Sequence, residues 1–145
     1  MLRYSNRWIR QILDISQFYM VNLLQEMLDD KTEAAFVDFI INNNDGIYYV
    51  YDSRISIIPA EFTSKQTNRY LSALEQLAGF SCAGEKLSFA VDWINRHRDE
   101  KGEWDLGPSV KDGINFPLSD SWRRPEDRRR DCTARIEKLL LQLNK

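Results

Sequence analysis

A chain of 145 residues with 43% hydrophobic and 12% aromatic side chains is the size of one domain and carries ample material for a core. Its 20 basic and 22 acidic residues nearly cancel to a formal charge of −2, which argues against a dedicated nucleic-acid binder, since such proteins carry a net basic face. The opening "MLRYSNRWIRQ" lacks the apolar region of a signal peptide, the longest apolar runs are too short to span a membrane, and two isolated cysteines, Cys82 and Cys132, make no disulfide scaffold, so a reducing, cytoplasmic setting is expected.

The first predicted element is helical. Trp8, Ile12, Ile15 and Tyr19 fall at steps of four, three and four, and Met20, Val21, Leu24, Met27 and Leu28 continue the period. Asp14 and Ser16 are good caps, so this is one long helix or two short ones. Thr32 is placed to cap a helix bearing Phe36, Val37, Ile40 and Ile41. "NNNDG" at 42–46 ends it, because Asn, Asp and Gly tolerate a left-handed exit. "IYYVYDSRISIIP" is rich in strand-forming residues around a "DSR" turn and predicts a small β-hairpin near 47–58, stopped by Pro59.

Thr63 and Gln66 fit a capping box, followed by the helical stripe Tyr70, Leu71, Leu74, Leu77 and Ala78, closed by Gly79. A second stripe runs through Leu87, Ala90, Val91 and Ile94, with Phe89 and Trp93 on a neighbouring face. Pro125, followed by Glu126 and Asp127, starts a last helix whose buried stripe is Cys132, Ile136, Leu139, Leu140 and Leu143. The fold class expected is therefore mainly α, in a single domain.

Between the last two helices lies 99–124, "DEKGEWDLGPSVKDGINFPLSDSWRR", with two tryptophans, three glycines and two prolines and no regular period. A loop this long is uncommon unless functional or disordered, and its aromatic content argues against disorder. The segment is expected to be an ordered loop held by its own aromatic residues.

Residues 63–104 carry a resemblance. "ALEQLAGF" and "KLSFAVDWINRHRDEKGEW" resemble the outer helix, inner helix and following loop of a repeat in the squalene-cyclase and prenyltransferase class, whose loop pattern is Gln-x-x-x-Gly-x-Trp. Gly102 and Trp104 match it, while Arg98 stands in place of the glutamine. The resemblance covers about forty residues, and "SVKDGINFPLSDSWR" is similar to the tail of uncharacterised bacterial proteins that carry such repeats. It implies helix pairs of α/α-toroid type, with the glycine turning the backbone sharply and the indole folding back over the preceding helix end. A cation at position 98 would stack on that indole or meet the helix's carbonyl end. A closed toroid needs more than the five or six helices predicted here, so the chain is a fragment or completes its surface by pairing with a second copy or another protein.

The chemistry of that class does not carry over. Its cyclases use an Asp-x-Asp-Asp motif and its protein prenyltransferases a zinc set of Asp, Cys and His, and neither occurs here. The single histidine, His97, is flanked by two arginines and reads as structural; no metal or other cofactor is expected. Asp105, Asp112 and Asp120 recur through 99–124 and are the weak candidates for a catalytic carboxylate pair, although loop aspartates mostly cap turns. Lys111 beside Asp112 and Gly113 suits a charged turn. In "WRRPEDRRRD" the pairs Arg124 with Arg128 and Asp127 with Arg130 sit at helix-neighbour spacing, which reads as a solvated or partner-facing helix start.

Two functions are compatible with these features. One is a non-catalytic helical repeat module that binds a protein partner or an apolar ligand through Trp93, Arg98, Trp104, Lys111, Phe116 and Trp122. The same aromatics serve equally well as local core. The other is an enzyme or part of one, acting on an isoprenoid or a carbohydrate, with Asp105, Asp112 or Asp120 as acid or base and Arg98 or Lys111 as electrostatic stabiliser.

Overall fold

The computed structural model describes residues 18–111 and 122–145. Among them the fold is mainly helical: α1 (Phe18–Leu23), α2 (Asp30–Asn42), α3 (Lys65–Leu77), α4 (Ala83–Lys86), α5 (Ser88–Arg96), a 3₁₀ turn at Pro108–Val110, and α6 (Pro125–Leu143). No sheet forms among the described residues, and no helix there is long and apolar enough to cross a membrane.

The helical stripes become one core. Val37 and Ile40 of α2, Leu71, Leu74 and Leu77 of α3, Ile94 of α5 and Ile136 of α6 are all fully buried in a single cluster. Trp8, Ile12 and Ile15 of the opening stripe lie outside the described residues. The remainder of that stripe ends early. Glu26 adopts a left-handed φ of 65°, so the chain leaves the helix and Met27 is 69% exposed instead of continuing the apolar face.

Both expected caps shift, one by three residues and one by a single residue. Asp29, not Thr32, caps α2, accepting the Thr32 N–H at 2.8 Å. Ser64, not Thr63, caps α3, accepting the Thr67 N–H at 3.2 Å. In each case a side-chain oxygen meets a donor orphaned at the helix start. The second stripe is also divided: four residues of α4 precede α5, with Leu87 between them.

The β-hairpin near 47–58 is corrected. Only one antiparallel bridge forms, Ile47 to Tyr51, closed by two backbone hydrogen bonds of 2.9 Å around a turn in which Tyr49 takes φ 68°. Ile47 and Ile55 are fully buried against the helices, and the Tyr70 hydroxyl donates to the Ile55 carbonyl at 2.9 Å. The apolar content that suggested strands is used to plug a helical core, so the backbone curls instead of pairing with itself.

Candidate functional site

The segment after α5 folds back on the molecule as a strap. Its first turn is built by Asp99, whose carboxylate accepts the N–H groups of Lys101 and Glu103 at 2.8 and 2.9 Å, while the Asp99 N–H donates to the Glu103 carbonyl. Those bonds, with the charge of Arg129 3.3 Å away, hold the Asp99 carboxyl below its ordinary range. Gly102 sits at φ 80°, a conformation that costs other L-residues about 1–2 kcal/mol.

The reversal delivers Trp104 into the core, where it is 2% exposed. Its indole N–H donates to the Ile94 carbonyl in the last turn of α5 at 2.8 Å. Its backbone N–H donates to the Thr133 hydroxyl of α6 at 3.0 Å. The Arg98 guanidinium lies 5.3 Å from the centre of the Trp104 ring, so position 98 covers the indole face as a cation–π contact. The indole thus adds a second hydrogen bond at a helix-end carbonyl that already accepts the His97 N–H at 3.0 Å, and the Trp104 backbone N–H couples α5 to α6.

Asp105 is the next anchor. Arg128 donates to it from Nε at 2.7 Å and from Nη2 at 2.9 Å, Arg129 approaches to 3.7 Å, and the Gly107 N–H donates at 2.9 Å. Burial alone would raise the Asp105 carboxyl, but these donors outweigh it and hold the group below the usual carboxylate range. A carboxylate kept ionised and occupied in this way is a poor general acid and a poor base. Gly107 follows at φ 91°, with its Cα facing the Thr63 methyl so closely that a Cβ would approach to 2.8 Å.

The other candidate residues divide clearly. Trp93 is 7% exposed and packs edge-on against Tyr70 and Phe62 at 5.7 and 5.3 Å. Trp122 is 8% exposed, and its indole N–H donates to the Asp131 carboxylate at 2.7 Å. Three of the four aromatics expected at a binding surface are therefore built into the core. Arg98 and Lys111 are exposed. Phe116, Asp112 and Asp120 lie outside the described residues, so of the three candidate carboxylates Asp105 alone is described.

His97 stacks flat on Phe62, with ring centres 4.4 Å apart and 8° between planes, and meets Trp93 edge-on at 5.5 Å. His97 is exposed overall, but partial desolvation of its ring, then the charge of Arg96, lowers its pKa. Burial pushes both thiols up to about 11, which leaves them protonated and unreactive. Among the described residues no group of three or more His, Cys, Asp or Glu side chains is placed to hold a metal ion.

Sequence reasoning missed the arginines on α6. Arg128 reads as part of a solvated helix start, yet its side chain is 14% exposed and pairs with Asp105. Arg135, 9% exposed, binds Glu75, the Asn68 carbonyl and the Ser72 hydroxyl of α3. The signal was present: 128, 132, 135 and 139 share one helical stripe, which places two arginines in register with Cys132 and Leu139.

Beside the strap, α6 forms the floor of a groove of about 690 Å³ whose wall includes Lys101 and Glu103. Three carboxylates (Glu103, Glu126, Glu137) and three cations (Lys101, Arg129, Arg130) line it. The chain matches no protein-family model, no curated protein and no solved structure.

Proposed function

We propose that this chain is a non-catalytic helical module that binds a protein partner along α6 and the adjoining strap. The observation that carries this reading is the state of Asp105, the described one of the three candidate catalytic carboxylates, which is committed to Arg128 and the Gly107 N–H. The strap's chemistry is spent on holding α5 to α6. What it offers outward is a shallow face of alternating charge, suited to another protein surface rather than to a buried small substrate.

The helix pair α3 and α5 with its Gly102–Trp104 reversal is, in this reading, a repeat unit of α/α-toroid type. The left-handed glycine and the indole laid on the preceding helix end support it. Such units bury one face by stacking on neighbours, which accords with a module that completes itself through a partner.

Native mass spectrometry of the purified chain after incubation with isoprenoid and glycan extracts tests the reading. Masses containing protein alone are expected. A retained small molecule that is converted on incubation would overturn it in favour of an enzyme acting on that molecule.

A further inference from the structure

If α6 and the strap bind a protein, as proposed, the outer face of α6 narrows which protein, and the inference rests on that reading. Positions 126, 130, 134, 137 and 141 recur at steps of three and four and so share one face of the helix, and all five are exposed. The face presents an acid, Glu126, then Arg130, then the small Ala134 beside half-buried Thr133, then Glu137, then Leu141, which is 71% exposed.

We infer that a second copy of this chain docks on this face, with its α6 antiparallel to the first about a twofold axis passing between Thr133 and Ala134. In a twofold contact residue i meets j and j meets i. About this axis Arg130 faces Glu137 of the second copy, and Glu137 faces Arg130 of the second copy. Thr133 and Ala134 face each other at the centre, where small side chains permit a close helix approach. Leu141 lands on the first turn of the opposite helix, at Pro125 and Glu126.

The charge order selects this arrangement. A parallel pair in register would set Arg130 on Arg130 and Glu137 on Glu137, and like charges placed opposite one another suppress association. Arg130 already has a neighbour, Asp127 at 3.0 Å, but its side chain is 70% exposed, and exposed pairs of this kind are worth little. Asp127 also retains Arg124 at 3.4 Å. The equal numbers of cations and carboxylates along the groove give no attraction for a nucleic acid or an anionic membrane, whereas a second copy carries the complementary balance by construction.

Sedimentation velocity on the full chain across a range of concentrations is the test. The wild-type chain is expected to dimerise, more weakly as salt is raised. Arg130→Glu and Glu137→Arg should each weaken self-association by roughly tenfold or more, because each creates two like-charge contacts. Mixing the two single variants should restore a heterodimer, and the double variant should restore the homodimer; circular dichroism checks that each variant keeps its helices. A wild-type chain that stays monomeric at the highest reachable concentration overturns the inference while leaving a different protein partner in place. Single variants that dimerise like the wild type, or a mixture that stays monomeric, also overturn it.

Discussion

The strap at 99–111 and the turn at 47–51 are both aromatic connections, but the strap buries its one aromatic, whereas the turn buries Tyr51, 2% exposed, and leaves Tyr48 and Tyr49 outside. In the strap Trp104 is 2% exposed and hydrogen-bonded at both its backbone and its indole nitrogen. In the turn Tyr49 is 80% exposed, at a left-handed φ of 68°, and its neighbour Tyr48 is 54% exposed. The strap puts its left-handed positions on glycines, Gly102 and Gly107, while the turn puts one on a tyrosine. The strap is built to stay closed. The turn carries strain that no buried contact of Tyr49 repays, and the order of a non-helical segment is set by where its aromatics go, not by how many it has.

The largest effect should come from emptying the strap. Trp104→Ala is expected to cost about 3–5 kcal/mol, the range for deleting a large buried aromatic, read as a lowered midpoint in chemical denaturation. A loss below about 1 kcal/mol would mean that the indole adds little. Removing the next anchor should cost less. Asp105→Ala leaves the partly buried Arg128 without its carboxylate and should lose about 2–3 kcal/mol, with the helix content of the folded chain unchanged by circular dichroism.

The turn should respond with the opposite sign. Tyr49→Gly removes a side chain from a left-handed position and is expected to stabilise the fold by up to about 1 kcal/mol. A clear destabilisation would show that the Tyr49 ring holds the turn in place, as Trp104 holds the strap.

These effects bear on what the sequence could say. Helices α3, α5 and α6 were legible because their apolar periods are unambiguous; the Gly102–Trp104 reversal followed from the repeat resemblance, and of the two places it left open for Arg98 the guanidinium takes the one over the indole. The caps were misplaced by one residue at Ser64 and by three at Asp29 because adjacent Ser, Thr and Asp residues offer the same chemistry, and only the backbone decides which one caps. The hairpin misled because isoleucines and tyrosines suit a strand and a helix-packed loop equally. Arg135 was invisible as a core residue because its partner Glu75 lies 60 positions away, and an arginine without a visible partner reads as surface.

Acidification gives the smallest effect. The folded state lowers the His97 pKa from the ordinary 6.5 by partial desolvation of the ring and then by Arg96, so it favours the neutral ring. The unfolded chain then binds the extra proton first, and stability is full above pH 6.5 and falls as pH drops through the folded pKa. His97→Gln should flatten this slope. A second loss, from Asp105, should begin only below about pH 4, because its folded pKa lies under the ordinary 3.8.

Hydrogen exchange at the Trp104 indole N–H, followed by NMR in the intact wild-type chain, reads whether the strap is clamped there. The bond to the Ile94 carbonyl predicts exchange only through global unfolding, at the rate of the most protected amides in α3. Exchange as fast as that of an exposed indole would contradict it, and the anchoring role assigned to Trp104 would go with it.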